Sequence, residues 1–143
     1  MSDEETPPSL GFALTLDWER DLRFAGQCGE TAIVLDSAGK AGPSPVQVLA
    51  FGLAGCMGMD MVHILKKGRH ELTGLKSRLE AERSPENPKR ITAVKLHFVV
   101  EGQLPPEAVE RAIQLSRDTY CSVWHSLSQD IDFRTSFEIA SAG

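Results

Sequence analysis

Residues 46–65 constrain the fold of this chain more than any other segment, because a helix drawn through them is apolar on nearly its whole circumference. Ser44 followed by Pro45 is typical of an N-cap and a first helical position. The Lys-Lys-Gly run at 66–68 is typical of a helix end. The sequence therefore predicts a helix that begins at Ser44 and Pro45 and runs to about Lys67. A helix that is apolar all round has to be enclosed by other elements or by a second subunit.

The same segment is a poor candidate for a membrane span, since it carries Gln47, Asp60 and His63 and is interrupted by three glycines. Residues 1–8 are acidic and lack the basic and apolar regions of a signal peptide. We therefore expect a cytoplasmic protein with no membrane partner. The formal net charge of −5, without a basic run, makes a nucleic-acid partner unexpected as well.

Strand and helix patterns surround the long helix on both sides. Period-2 alternation marks five segments, 10–18, 22–24, 75–81, 94–100 and 131–139, and a short apolar run at 32–35 marks a sixth strand. Spacings of three and four after Pro105 and Pro106 predict an amphipathic helix, and a short helix is expected over 121–127. This order predicts an α+β fold with mainly antiparallel sheet. The length favours a single domain over residues 1–143, in which residues 1–9 form a flexible tail.

Three cysteines in a chain without an export signal argue against a structural disulfide framework and predict free thiols. Cys56 lies about eleven residues into the helix, beyond the reach of the helix dipole, so its pKa should stay near that of a free thiol or rise through burial. Cys121 is better placed for activation, because backbone N–H groups at the start of the short helix would point at its sulfur. Cys28, in a Gly-rich turn, is expected to be incidental.

Two motifs together resemble the OsmC/Ohr family: Gly42-Pro-Ser-Pro and the following helix through Cys56 to Asp60, and the Tyr120-Cys121-Ser-Val run. The Leu-Lys-Lys-Gly-Arg-His run after the helix, and Leu-Glu-Ala-Glu-Arg on the next strand, are most similar to the OsmC-like branch of that family. The resemblance implies an intertwined homodimer in which two long helices pack centrally and the sheets wrap around them.

The resemblance also implies a chemistry, because the better-known members of the family reduce organic hydroperoxides with two cysteines. Cys56 would attack the peroxide and become a sulfenic acid, and Cys121 would capture it as a disulfide. An external dithiol would then reduce that disulfide, so that no metal and no cofactor would be needed.

The chain departs from the peroxidase members at two activating positions. Those members carry a glutamate directly after the helix-opening proline, where this chain has Val46 and then the neutral Gln47. Their activating arginine lies in the Gly-rich turn before the third strand, where the nearest match is Gln27. Arg20 or Arg23 is a candidate substitute.

Alternatives stay open for these residues. The chain would be a non-peroxidase dimer that binds a small hydrophobic or electrophilic ligand, or a thiol redox sensor, if the missing arginine and glutamate abolish catalysis. Asp60 and His63 lie one and two turns after Cys56, either as polar groups near the thiol or as helix-face residues that satisfy one another or a dimer neighbour. A metal site, built from Cys121 and His125 with residues of the long helix, is a third interpretation.

Overall fold

The computed structural model describes residues 10–140, so the predicted flexible tail at residues 1–9 lies outside the described residues. The elements in chain order are β1 (Thr15–Arg20), β2 (Arg23–Cys28), β3 (Thr31–Asp36), α1 (Pro45–Lys67), β4 (Glu71–Arg83), β5 (Ile91–Gln103), α2 (Pro106–Leu115), a π-helical turn (Ser116–Tyr120), α3 (Ser122–His125) and β6 (Asp132–Ala140). The α+β class is confirmed, and α1 has the predicted bounds. The chain divides into two compact units between Val48 and Leu49, and a single domain stays a prediction.

The first unit contains a three-stranded antiparallel sheet in the order β1-β2-β3. The prediction of a first strand from residue 10 was wrong, because pairing with β2 begins only at Thr15, opposite Gln27. The ladder ends there since β2 stops at Cys28 and the chain reverses at Gly29, which has φ 59°.

The expected half-buried character of β1 was also wrong within this unit. Every residue of β1 is exposed, including Leu16 and Trp18. Alternation separates the side chains of a strand into two faces, but it carries no information about whether a second layer covers either face. The predicted Gly-rich turn is shorter than expected too, because Gln27 and Cys28 belong to β2 and only residues 29–30 form the turn.

The second unit contains a sheet in the order β4-β5-β6, in which β4 and β5 are antiparallel and β5 and β6 are parallel. One stripe of α1 packs in the core of this unit and consists of Leu53, Met57, Met61 and Leu65. The inward face of β5 supplies the facing layer, with Leu96 and Phe98 at its centre, and α2, α3 and β6 add the remaining core residues. One face of the long helix therefore packs into the core of this unit.

The remaining circumference of α1 is not covered in the same way. Phe51 is 70% and Met59 75% exposed, so elements of the same chain enclose α1 along one stripe only, and enclosure of the rest by a second subunit stays a prediction. Among residues 10–140, α1 is the helix whose length and mean hydropathy of 1.7 suit a membrane span. A core helix of a soluble protein meets the same criterion, and α1 contributes four side chains to this core.

Candidate functional site

Cys56 on α1 and Cys121 at the start of α3 lie together, although they are distant in the sequence. Cys121 is fully buried in the core, and Cys56 packs against that core while half-buried. The Cys56 thiol acts on the pKa of the Cys121 thiol, so the two side chains are neighbours, and both thiols are free. The structure thus places the two cysteines in one neighbourhood, and their catalytic role stays a prediction.

The π-helical turn sets the position of Cys121. The backbone N–H of Cys121 donates to the carbonyl of Ser116 over 2.7 Å, a spacing of five residues. This closes α2 with one widened turn, a feature that often occurs at functional sites. Cys121 then serves as the N-cap of α3, with the backbone N–H of Trp124 donating to its Sγ at 3.3 Å. On the other side of the pair, the Oγ of Ser122 lies 3.9 Å from the Sγ of Cys56.

Burial dominates the electrostatics of Cys121 and raises the pKa of its thiol to about 11. The hydrogen bond and charge of Cys56 and the charge of Asp60 act in the same direction, whereas the Trp124 N–H opposes them. The expectation that Cys121 is the better activated thiol was therefore wrong. The predicted backbone N–H is present, but one N–H of a four-residue helix does not compensate for removing a thiolate from water.

Asp60 takes a different partner from the one expected. Its Oδ2 accepts a hydrogen bond of 2.8 Å from the Oγ of Ser116, which is fully buried. Sequence reasoning missed Ser116, although a signal existed. Ser116 continues the buried stripe of Val109, Ala112 and Ile113 at helical spacing, and a polar residue on a buried stripe requires a partner.

His63 lies elsewhere, on the exposed side of α1. It lines an open groove of about 940 Å³ together with Phe51, Ala54, Gly55, Gly58, Met59, Val62, Lys66, Lys67, Leu75 and Ser77. Mutual pairing of His63 and Asp60 was therefore wrong, since Asp60 turns toward Ser116, and a dimer neighbour as the partner of His63 stays a prediction. The groove is mostly apolar, with the two lysines and His63 grouped at the carboxyl end of the helix.

Gln47 has a structural partner at the start of α1. Its N–H donates to the Oγ of Ser44 at 3.3 Å, and its Oε1 accepts from the N–H of Ser44 at 2.9 Å. This reciprocal pair is a capping box, which a serine followed three residues later by Glu or Gln signals in sequence. The side-chain carbonyl of Gln47 is thus occupied by the backbone N–H of Ser44.

The other candidates of the first unit sit on its sheet. Arg20 is exposed at the end of β1, and Arg23 lies opposite Asp36 in the pairing of β2 with β3. Gln27 donates through Nε2 to the carbonyl of Gly29 at 3.3 Å. Since the two thiols belong to the second unit, a catalytic role for Arg20, Arg23 or Gln27 stays a prediction. The thiol of Cys28 also bonds within the first unit, to the carbonyl of Ala13 at 3.4 Å.

The metal interpretation gains no support from the described part of the chain. Residues 10–140 contain no group of three or more His, Cys, Asp or Glu side chains arranged to hold a metal ion. The Nε2 of His125 lies 3.0 Å from the carbonyl oxygen of Arg117, which only accepts hydrogen bonds. That nitrogen therefore carries its proton and is engaged.

Comparison with known proteins points to one family. The OsmC-like protein family profile matches residues 37–136. Protein YhfA of Escherichia coli K12 is 34% identical over 128 residues, which cover 87% of this chain and 96% of that protein. A hypothetical protein from Aquifex aeolicus has the same fold, with a TM-score of 0.87 and 25% identity over 94% of this chain and 100% of its own. An organic hydroperoxide resistance protein OsmC from Legionella pneumophila shares the fold at a TM-score of 0.69 and 16% identity, over 92% of this chain and 99% of that one.

Proposed function

Since the chain belongs to the OsmC-like protein family, we propose that it is a thiol-dependent peroxidase that reduces organic hydroperoxides through Cys56 and Cys121. The observation that carries this proposal is that two free thiols, on α1 and at the start of α3, are neighbours, with the Sγ of Cys56 3.9 Å from the Oγ of Ser122, the residue after Cys121. The name of the Legionella relative, an organic hydroperoxide resistance protein, supports hydroperoxides as the substrate class.

Cys56 is the attacking thiol in this proposal. It is half-buried, whereas Cys121 is fully buried and has a pKa of about 11, which leaves very little thiolate at neutral pH. The Cys56 sulfur takes the terminal oxygen of the hydroperoxide, the O–O bond breaks, and an alcohol leaves. Cys121 then displaces the hydroxyl group of the Cys56 sulfenic acid as water, and a disulfide forms. An external dithiol returns both thiols to the reduced state.

The activating charges come from outside the positions that the peroxidase members use. The Gln47 carbonyl is engaged by the N–H of Ser44, and a glutamine carries no charge in any case. We therefore assign activation of Cys56 to Arg20 or Arg23, from the same chain or from a second copy. Replacing both arginines by glutamine, with Arg83→Gln as a control, removes the positive charge and should reduce the rate of the first chemical step.

A homodimer belongs to the same proposal. The exposed side of α1 is apolar around Phe51 and Met59, and a second copy of the chain is its expected occupant. Phe51→Asp and Met59→Asp should each shift the assembly toward monomer in analytical ultracentrifugation.

Cytoplasmic localisation is also proposed, because a disulfide that has to be reduced in every cycle needs a compartment that supplies dithiols.

A second candidate function has its own supporting observation. No carboxylate occupies the first positions of α1, and the groove of about 940 Å³ on the same helix is mostly apolar. These features favour a protein that binds a small hydrophobic or electrophilic ligand without peroxide turnover, or one that senses redox state through its thiols.

Steady-state turnover of an organic hydroperoxide with dithiothreitol separates the two functions. The peroxidase requires turnover that Cys56→Ser abolishes and Cys121→Ser strongly lowers. Cys28→Ser is the matched control, since this thiol bonds to a backbone carbonyl in the other unit and should leave the rate unchanged. Absence of turnover in the unmodified protein would overturn the peroxidase proposal and favour the ligand-binding function.

A further inference from the structure

Asp60, Ser116 and Cys121 form a connected group beside Cys56. The buried Ser116 contacts both other members, because its hydroxyl donates to Asp60 at 2.8 Å and its carbonyl accepts from the Cys121 N–H at 2.7 Å. Asp60 follows Cys56 by four residues on α1, so the two side chains share one face of that helix. The Ser116 hydroxyl thus fixes the Asp60 carboxylate one helical turn from Cys56, and the charge of Asp60 acts on Cys121.

Disulfide formation requires a proton acceptor at this point. Cys121 has to lose its proton as its sulfur attacks Cys56, and burial makes a free thiolate there costly. Water has little access to a side chain that is fully buried. A protein group that accepts the proton as the sulfurs bond would spare the site a free thiolate and so speed this step.

The other titratable groups of the π-helical turn and α3, and two at the start of β6, are engaged or exposed. In the π-helical turn, the Arg117 guanidinium lies 4.7 Å from the ring of Phe133, and Asp118 and Tyr120 are exposed. Asp118 also accepts a hydrogen bond from Gln114. His125 of α3 bonds to a backbone carbonyl, and Asp132 and Arg134 of β6 pair with each other. Within residues 10–140, Asp60 is the carboxylate whose charge acts on Cys121.

We propose that Asp60 is the proton carrier of disulfide formation, an inference that rests on the proposed peroxidase function. Asp60 accepts the proton from the Cys121 thiol while the sulfur bonds to Cys56. It then gives this proton to the hydroxyl that leaves Cys56, so that one water is released and Asp60 returns to its charged form. Cys56 is reduced from sulfenic acid to disulfide and Cys121 is oxidised from thiol to disulfide.

Asp60 suits the role of proton carrier both as a charged carboxylate and as a protonated, neutral acid. As a carboxylate it disfavours a standing thiolate on Cys121, which keeps that thiol reduced and protonated between cycles. Once it has accepted the proton it is neutral and no longer repels the attacking sulfur. Ser116 orients the carboxylate in the charged state through its hydroxyl.

The test measures proton removal from Cys121 directly and does not depend on peroxide. In a Cys28→Ser background, Cys56 is converted to its mixed disulfide with thionitrobenzoate, and release of the coloured thiol by Cys121 is followed by stopped flow. Asp60→Asn should slow this release by about 100-fold, the usual contribution of a general base. Asp118→Asn is the matched control and should leave the rate unchanged, because Asp118 is exposed and bonded to Gln114.

The pH profile distinguishes a proton carrier from a structural residue. Release by the parent protein should vary little between pH 6 and 9, whereas release by Asp60→Asn should rise about tenfold per pH unit because hydroxide then has to remove the proton. Asp60→Glu should restore part of the rate at pH 7. Equal rates and equal pH profiles for the parent and Asp60→Asn would overturn the inference. Failure of peroxide to oxidise Cys56, with these results intact, would overturn only the peroxidase proposal.

Discussion

The side chains of Ser116 and Asp60 are joined by a hydrogen bond of 2.8 Å between the serine hydroxyl and one carboxylate oxygen. The bond ties the start of the π-helical turn to the middle of α1, across 56 positions of sequence. Ser116 is fully buried, so its hydroxyl has no access to water as an alternative partner.

Ser116→Ala should therefore destabilise the protein by about 1–3 kcal/mol, since it leaves a partly buried carboxylate without its donor. Urea unfolding followed by circular dichroism gives this value. Ser126→Ala is the control, because the exposed Ser126 donates only to the carbonyl of Ser122 and its loss should cost less than about 0.5 kcal/mol. Equal midpoints for the two variants would contradict the importance of the Ser116 bond.

The raised pKa of Cys121 makes stability depend on alkaline pH. In the unfolded chain this thiol ionises near pH 9.0, whereas in the folded protein it ionises near 11, so the unfolded state gains charge first as the pH rises. Stability should therefore fall between about pH 9 and 11, by about 2 kcal/mol from this group. The unfolding free energy of Cys121→Ala should show a shallower fall over this range, while Cys28→Ala should follow the parent protein.

The capping box at the start of α1 predicts different stabilities for two substitutions of Gln47. Gln47→Ala removes the acceptor for the Ser44 N–H and should lower stability by about 1 kcal/mol. Gln47→Glu keeps an acceptor and adds a negative charge near the positive end of the helix, so stability should be kept or slightly raised. Thermal unfolding of both variants decides this, and a loss in Gln47→Glu as large as that in Gln47→Ala would contradict the capping role.

Asp36 governs the acid limit of the first unit. Backbone N–H groups of Ala41 and Ala38 donate to its carboxylate at 3.0 and 2.9 Å and lower its pKa below 3.8, and the positive charge of Arg23 acts in the same direction. The stability from these bonds is present above pH 3.8 and is lost as the pH falls through the lowered value. Asp36→Asn should unfold with a weaker dependence on acid pH, measured by fluorescence between pH 5 and 2. A dependence as steep as that of the parent would refute this assignment.

Hydrophobic periodicity, together with capping residues, prolines and glycines, was sufficient to predict the helices whose ends are set by the local sequence. The bounds of α1 followed from Ser44, Pro45 and Gly68, and the amphipathic spacing after Pro106 gave α2. The same reasoning extended β1 too far, because the point at which a strand loses its partner depends on where β2 turns and not on the alternation of β1 itself.

The residues of the site could be predicted from the sequence, but the burial of Cys121 and the resulting rise in its pKa could not. Two cysteines and Asp60 were identified from motif and spacing, yet the burial of Cys121 depends on how α1, α3 and β5 pack around it. The π-helical turn between Ser116 and Cys121 has no sequence signal comparable to a proline or a glycine. The overlooked clue was local, a serine on the buried stripe of α2.

The central claim is that Cys56 and Cys121 form a disulfide when an organic hydroperoxide is reduced. The most direct measurement is titration of the fully reduced protein with one equivalent of hydroperoxide, followed by thiol counting and mass mapping of peptides under non-reducing conditions. We predict that the free thiols fall from three to one per chain, and that the peptides of Cys56 and Cys121 are joined within one chain. Three remaining thiols, or a disulfide that contains Cys28, would contradict the account.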